Sequence, residues 1–272
     1  MQRLGVVIIA TTLSASVAMA DTVSGSGCGA HLPLVWDLAG SGILAEPSAA
    51  SLKNNGAMRI WGMQNLSVEG SGSGAVIAVT YPRGSINPAS APPAPLGGAG
   101  FLYPGPGARQ FDHACLSYDV RFDARFDFNH GGKLPGLYGG DAPTGGGSAD
   151  AGFTTRYMWR SGGAGEVYAY LPGKASSYGA SIDAGNWMFH ANSWGHIEQE
   201  IVLNRPVHAD GVLRVWYDGK LVLERTDIIF RMSNSVRISG LIFSTFFGGH
   251  DPSWASPTTQ KSYFKNIRFY GE

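Results

Sequence analysis

Short segments with alternating apolar and polar side chains recur along the chain, and glycine-rich turns separate them. In residues 114–123, one face would carry Leu116, Tyr118, Val120 and Phe122. A period of two is typical of β-strands, and no segment shows a long apolar stripe at helical spacing with capping signals. There are 39 glycines in 272 residues and only 15% charged residues, which favours many strands joined by tight turns. The sequence therefore predicts an all-β protein.

The same pattern divides the rest of the chain into strands and loops. Further strands are predicted at 75–80, 152–160, 166–171, 196–204, 213–217, 220–225, 236–245 and 262–270. One hairpin would cross 161–165, and another would turn at Asp218-Gly219. Residues 21–57 look irregular, and loops are predicted at 82–108, 139–150 and 248–260, the first because it is rich in proline. We expect an antiparallel two-sheet β-sandwich of jelly-roll type, with a concave groove for a substrate.

The first twenty residues have the features of a secretory signal peptide. Arg3 is followed by an apolar run at 4–10, and Ala18-Met19-Ala20 forms a small-x-small cleavage site. The run is too short to span a bilayer, and a buried N-terminal helix is the alternative interpretation. We expect residues 1–20 to be removed and 21–272 to form a single domain that starts at Asp21. The protein would be secreted or periplasmic, without a membrane segment.

The two cysteines, Cys28 and Cys115, lie in the part that would be exported. An even number in an oxidising compartment favours one disulfide, although two free buried thiols are the alternative. Two cysteines cannot form a paired C-x-x-C zinc framework, and no H-E-x-x-H motif is present. We therefore predict a Cys28–Cys115 disulfide, no metal and no cofactor.

The charge balance limits the possible partners. Lys and Arg number 20, Asp and Glu also number 20, and the net charge is zero. A general nucleic-acid-binding protein needs a basic stripe, so that class is disfavoured. An acidic substrate remains possible because a few cations in a groove can bind it.

Alternation along the 152–160 and 166–171 hairpin places polar side chains together. Phe153, Thr155, Tyr157 and Trp159 would face the core, and the opposite face would carry Thr154, Arg156, Met158 and Arg160. On the partner strand, Tyr168 and Tyr170 would share the exposed face with Arg156. Paired strands lie about 4.8 Å apart, so Thr154, Arg156, Tyr168 and Tyr170 can form one cluster.

A glycine-rich run at 128–140 contains His130 and a single lysine, Lys133. Its glycines would let the backbone approach a ligand, and Pro135 indicates an edge strand or a bulge. Each of these residues has an ordinary interpretation when taken alone. Lys133 and Arg156 would be solvated charges, His130 a satisfied polar group, and the two tyrosines packing residues. The cluster is more informative than any one member.

Lys, Arg and two Tyr suit β-elimination on a uronate, which needs neither a carboxylate pair nor a metal. The proton on C5 is weakly acidic, and a cation against the sugar carboxylate stabilises the charge that develops when it leaves. A base must remove this proton, and an acid must protonate the leaving O4. A tyrosine can do either if nearby cations lower its pKa.

Three segments resemble the family-14 polysaccharide lyases and, more distantly, the glucuronan lyases: 131–140 (GGKLPGLYGG), 156–160 (RYMWR) and 240–249 (GLIFSTFFGG). The resemblance covers about residues 110–270. It implies a β-jelly-roll lyase that acts on alginate or a related polyuronate through a Lys, a Ser-x-Arg and a Tyr-x-Tyr. These positions are Lys133, Thr154 with Arg156, and Tyr168 with Tyr170, so Thr replaces the Ser.

The resemblance also implies roles for these residues. Arg156, with Thr154, would bind and neutralise the substrate carboxylate. Tyr170 or Lys133 would be the base, and Tyr168 or Tyr170 the acid. His130 and Arg160 would add substrate contacts. We expect a monomer that acts on an acidic polysaccharide.

Two other functions are compatible with a β-sandwich. A glycoside hydrolase needs two positioned carboxyl groups, and Glu198-Gln199-Glu200 is the only tight glutamate pair. A non-catalytic carbohydrate-binding module or lectin could present Trp and Tyr on the same concave sheet. Among lyases, a glucuronan-specific enzyme is the alternative to an alginate lyase.

Overall fold

Two antiparallel β-sheets form the framework of the computed structural model, which describes residues 27–44, 47–89, 93–173, 178–249 and 251–272. The signal peptide predicted at 1–20 and the expected new terminus at Asp21 lie outside these ranges. In the part of the chain described, no helix is both long and apolar enough to cross a membrane.

The described residues form fifteen strands, joined by tight turns and by longer loops. In chain order they are β1 (Leu34–Asp37), β2 (Met58–Trp61), β3 (Leu66–Glu69), β4 (Val76–Tyr81), β5 (Ala99–Tyr103), β6 (His113–Phe122), β7 (Gly131–Gly140), β8 (Gly152–Arg160), β9 (Gly165–Tyr170), β10 (Ala180–Ile182), β11 (Gly195–Val202), β12 (Gly211–Tyr217), β13 (Lys220–Ile228), β14 (Ile238–Phe247) and β15 (Gln260–Gly271). One α-helix, α1, spans Ala49–Asn54. Short 3₁₀ turns lie at Cys28–Ala30, Met63–Asn65, Gly72–Gly74, Pro106–Ala108, Ser161–Gly163 and Pro252–Trp254.

The strands form two sheets, which we call the back sheet and the cleft sheet. The back sheet has the order β13-β12-β11-β6-β15-β4-β3, with β1 added beside β15. The cleft sheet has the order β10-β9-β8-β7-β14-β5-β2. Their facing sides enclose one large apolar core. This is the antiparallel two-sheet sandwich that the sequence predicts.

Side-chain alternation determines which residues enter the core. The predicted inward set on β6 is buried, and so are Phe153, Thr155, Tyr157 and Trp159 on β8. Val167, Ala169 and Leu171 face inward from the partner of β8 in the same way. The period of two therefore predicted correctly which side chains of these strands face the core.

Both predicted hairpins are present. Strands β8 and β9 pair in antiparallel register, and β12 pairs with β13 so that Tyr217 lies opposite Lys220. Asp218 and Gly219 between them have φ values of 48° and 76°. Two successive residues with positive φ match the right-handed twist of a hairpin, which explains the Asp-Gly pair.

Two segments predicted to lack regular structure contain some. Strand β1 and helix α1 lie within 21–57, and Ser48 begins α1 by accepting a hydrogen bond from the Ser51 N–H at 3.1 Å. Strand β5 lies within the proline-rich segment 82–108. The prolines flank β5 rather than interrupt it, since Ala99–Tyr103 contains none. The four residues of β1 are too few to show a period of two in sequence, and the prolines around β5 obscured its five.

Strand β7 is an interior strand with a bulge at Pro135. It pairs with β8 on one side and β14 on the other, so the edge alternative is wrong and the bulge alternative is confirmed. The register shifts between Leu134 and Gly136, and the Pro135 carbonyl accepts a hydrogen bond from Tyr118 Oη at 3.1 Å. A bulge adds one residue and re-aims the side chains beside it.

The predicted disulfide between Cys28 and Cys115 is present. Cys115 points away from the core, on the outer face of the back sheet, where both cysteines pack with Leu32 and Trp216. The bond fixes the segment at Gly27–Leu32 to the start of β6, where Cys115 is the third residue.

Candidate active site

A cleft of about 640 Å³ lies on the outer face of the cleft sheet. It runs across the strands from β9 to β2, and loops close its sides. Lys133, Arg156, Arg160, Tyr168 and Tyr170 all line it, so the structure brings together five of the residues predicted from sequence.

Strand pairing explains why these side chains meet. Arg156 faces the cleft because its neighbours Thr155 and Tyr157 face the core. Tyr168 lies directly opposite Arg156, and Tyr170 lies opposite Thr154. Lys133 comes from β7, on the other side of β8, where it pairs with Met158.

Arg156 is a buried cation on the floor of the cleft. It is 3% exposed, and burial lowers the pKa of its guanidinium to about 10, although Tyr170 and Tyr168 act in the opposite direction. Its Nη1 lies 3.5 Å from Ser244 Oγ, and its Nε has no hydrogen-bond partner. Within the described ranges, no carboxylate forms an ion pair with it. A buried charge of this kind is costly unless an anion binds to it.

Lys133 is also buried and lacks a carboxylate ligand among the residues described. Its Nζ lies 3.7 Å from the centre of the Tyr168 ring and donates a hydrogen bond to Met158 Sδ, a weak acceptor. Burial lowers the pKa of Lys133 well below 10.5, and repulsion from Arg156 and Arg160 lowers it further. The amine is therefore available in its neutral, basic form nearer to neutral pH.

The pKa of Tyr168 is raised, whereas on sequence grounds we considered that nearby cations would lower the pKa of a catalytic tyrosine. Burial raises the pKa of Tyr168, and the opposing effect of Arg156 and Arg160 is smaller. The phenol of Tyr168 therefore stays protonated at neutral pH and can act as a proton donor. Tyr170 is 6% exposed, and its Oη accepts a hydrogen bond from the Gly146 N–H at 3.2 Å. The two rings meet edge to face, 6.0 Å apart.

Arg160 lines the cleft with its charge already paired. Its Nη2 donates to Glu166 Oε1 at 2.6 Å and to Ser181 Oγ at 3.1 Å. Its guanidinium carbon also lies 5.8 Å from the centre of a Trp254 ring. Glu166 is almost fully buried, so the outward face of β9 is covered at this position, whereas Tyr168 on the same face is partly exposed.

Two residues predicted to bind substrate do not line the cleft. Thr154 is 0% exposed and donates through Oγ1 to the Pro143 carbonyl at 2.9 Å, because the loop after β7 folds over it. His130 is exposed, and its ring lies 5.3 Å from that of Trp254, which itself lines the cleft. The glutamates considered for a hydrolase are also elsewhere. Glu198 accepts from the Gly29 N–H on the back sheet, and Glu200 pairs with Arg214.

Several residues that line the cleft were not predicted to belong to the site. Ser244 and Met158 lie on strands whose alternation places them outward, so their position was predictable although their proximity to Arg156 and Lys133 was not. Arg59 and Trp61 lie on the short strand β2, which has no detectable pattern. Among the described residues, one group has the proximity needed for a metal, namely Cys28, Cys115 and Glu198. Its two sulfurs are joined in the disulfide, which removes their thiolates as ligands.

Comparison with known families gives one match, to the model described as Polysaccharide lyase 14, over residues 69–267. The match begins well before residue 110, where the sequence resemblance was placed. A comparison with curated protein sequences gives no significant match.

Solved structures with similar folds include two alginate lyases. The PL-14 alginate lyase of Aplysia kurodai is 30% identical, with a TM-score of 0.74, over 88% of this chain and 99% of that one. The alginate lyase vAL-1 of Chlorella virus is 23% identical, with a TM-score of 0.71, over 88% of this chain and 100% of that one. The endo-β-1,4-glucuronan lyase of Trichoderma reesei is 10% identical, with a TM-score of 0.53, over 80% of this chain and 92% of that one.

Proposed function

The chain belongs to polysaccharide lyase family 14 and is a lyase, and we propose that it cleaves alginate by β-elimination at the cluster of Lys133, Arg156 and Tyr168. One observation carries the proposal. Arg156 is a buried guanidinium on the floor of the cleft, with no acidic partner in the described ranges. A uronate carboxylate supplies the missing anion, and a guanidinium can bind it through two hydrogen bonds.

Arg156 activates the substrate in this mechanism. Its charge neutralises the carboxylate attached to C5, so the negative charge that develops when the C5 proton leaves can spread onto that group. Ser244 Oγ, 3.5 Å from Nη1, holds the guanidinium on the β14 side. The low dielectric of the buried floor strengthens this interaction.

Lys133 is the base and Tyr168 is the acid. The lowered pKa of Lys133 favours the neutral amine, which can take the C5 proton. The raised pKa of Tyr168 favours the protonated phenol, which can protonate O4 as the bond between C4 and O4 breaks. Elimination leaves a C4–C5 double bond on one product and a hydroxyl on the other. Tyr170, hydrogen-bonded to Gly146, positions the neighbouring loop.

Alginate is proposed as the substrate because the A. kurodai alginate lyase is 30% identical along nearly its whole length. The glucuronan lyase, at 10%, shares the fold alone. We also propose that the protein is exported after loss of residues 1–20, and that 21–272 acts as a single-domain monomer. The bond between Cys28 and Cys115 is consistent with an oxidising compartment.

The test is the ultraviolet absorbance of the new double bond. Purified protein would be incubated separately with polymannuronate, polyguluronate and glucuronan, with a chelator present. We expect absorbance to rise on one or both alginate blocks. A hydrolase would release reducing ends without this absorbance. Retention on a polyuronate gel without any absorbance would identify a binding module instead.

Single substitutions test the assigned roles. Lys133→Ala and Tyr168→Phe should each lower kcat by about 10²-fold or more, as is typical when a general base or acid is removed. Tyr170→Phe removes the acceptor for Gly146 and should cost less. If Tyr170→Phe lowered kcat by about 10²-fold while Tyr168→Phe kept near-normal turnover, the acid would be Tyr170.

A further inference from the structure

The cleft extends beyond the reacting cluster to strand β2, at the far edge of the cleft sheet. Trp61 and Arg59 line this end. Both residues precede residue 69, where the match to the family model begins. They are therefore features of this chain outside the segment that identifies the family.

Trp61 presents an aromatic surface in the cleft. Its indole lies against Gly100 of β5, and a Cβ added at Gly100 would lie 2.4 Å from Trp61 Nε1. Only glycine at position 100 leaves room for the Trp61 ring. The indole also meets Phe246 edge-on, with centroids 5.9 Å apart, and remains partly exposed. The ring is thus held against the floor of the cleft.

Arg59 supplies a fixed positive charge at the same end. Its Nη1 donates to the Ala142 carbonyl at 2.9 Å, and its Nη2 donates to the Asp141 carbonyl at 2.8 Å. Both acceptors are neutral, and no carboxylate in the described ranges forms an ion pair with Arg59. No acidic side chain in these ranges therefore neutralises the guanidinium, and the two carbonyls fix its orientation.

Strand register gives the spacing between this end and the reacting cluster. Ser244, the neighbour of Arg156, pairs with Gly100, and Gly100 pairs with Trp61. Two strand spacings correspond to about 10 Å between the Ser244 and Trp61 backbones. A polymer whose carboxylate lies on Arg156 can therefore reach Trp61 with a neighbouring sugar unit.

We propose that Trp61 and Arg59 form a distal subsite that binds a second uronate unit of the same chain. The indole would contact the apolar face of the pyranose ring, and the Arg59 guanidinium would bind its carboxylate. This inference rests on the proposed function. Strand β2 would thereby make cleavage depend on the length of the substrate.

The experiment compares Trp61→Ala and Arg59→Asn with wild type on long alginate and on the shortest oligosaccharide that wild type cleaves. Asn is chosen at position 59 because φ is 51° there, a region that Asn tolerates. On the polymer we expect each variant to raise KM about five- to tenfold with little change in kcat, since binding contacts far from the reaction centre are lost. On the shortest substrate, kinetics should stay unchanged.

Met58→Ala is the matched control, because Met58 is exposed on the same strand and does not line the cleft. Thermal unfolding would verify that each variant is folded, and Arg59→Asn remains informative if Trp61→Ala does not fold. Unchanged KM on the polymer for folded variants would overturn the distal subsite. An equal loss on short and long substrates would also overturn it. Absence of activity in wild type would instead refute the proposed function.

Discussion

Gln199 Oε1, on the back sheet, accepts a hydrogen bond from the backbone N–H of Leu137, 3.2 Å away on the cleft sheet. The same oxygen accepts from Thr155 Oγ1 at 2.6 Å. Leu137 follows the β7 bulge, and Thr155 precedes Arg156. A single buried side chain therefore connects the two strands that carry the cations of the cleft.

Replacing Gln199 should destabilise the protein and disturb the site together. Gln199→Leu leaves the Leu137 N–H and the Thr155 hydroxyl without this acceptor, and a buried unsatisfied group costs about 1–3 kcal/mol. We expect the free energy of unfolding in urea to fall by that amount, and kcat to fall more than KM changes. Thr155→Val, which removes one partner only, is the milder comparison. Unaltered stability in Gln199→Leu would contradict this account.

Arg156 should tolerate no replacement, including by lysine. Lysine keeps the charge but loses the planar pair of donors that fits a carboxylate. We expect kcat/KM, measured by double-bond absorbance, to fall about 10²- to 10³-fold in Arg156→Lys and at least as far in Arg156→Gln. Ser244→Ala should cost much less, because its contact with Arg156 is long. Near-normal activity in Arg156→Lys would refute bidentate binding.

The pH dependence of activity should follow Lys133. Burial, and then repulsion from Arg156 and Arg160, lowers the pKa of Lys133, whereas Glu166 raises it. The base works when deprotonated, so kcat/KM rises with pH through this pKa. Glu166→Gln removes the charge that raises the pKa, and the rising limb should move to lower pH by up to about one unit. A shift to higher pH would exclude Lys133 as the base.

Stability should decrease with pH because of His196. Burial lowers its pKa, but hydrogen bonds to Asp119 and Glu198 outweigh burial and raise the pKa to about 9 from an ordinary value of 6.5. The folded protein binds the proton more tightly than the unfolded chain does. The stabilisation is therefore complete below pH 6.5 and is lost as the pH rises to about 9.

Urea unfolding of wild type and His196→Gln across this range provides the measurement. Wild type should lose about 2–3 kcal/mol between the two limits, and most of that loss should be absent in His196→Gln. His190→Gln, at an exposed histidine, is the control and should follow wild type. Parallel curves for wild type and His196→Gln would show that His196 does not contribute.

The sequence predicted the long strands and the cluster because both depend on local alternation. Arg156 and Tyr168 face the same side of two paired strands, and a hairpin turn fixes their register. Burial was harder to predict, since it depends on loops that fold over the sheet. Thr154 alternates outward as expected, yet the loop at Pro143 covers it. The same burial explains why the Tyr168 pKa rises instead of falling.

The distal end of the cleft could not be predicted. Strand β2 has four residues, and its place beside β5 depends on pairing that the local sequence does not specify. Pro135 indicated an edge strand or a bulge in β7, but the sequence did not show how the bulge would change the direction of the side chains beside it. Residues an odd number of positions apart on a regular strand face opposite sides. Lys133 and Tyr138 are an odd number of positions apart, yet both face away from the core because the bulge lies between them. Leu134 and Leu137, on either side of the bulge, both face inward.

The disulfide between Cys28 and Cys115 has a practical consequence for the orientation of the molecule. It holds Gly27 and its neighbours on the outer face of the back sheet, with the full thickness of the sandwich between them and the cleft. A solid support or a fusion partner attached at Gly27 would therefore contact the rear of the molecule. The entrance used by a long, viscous polymer would stay unobstructed.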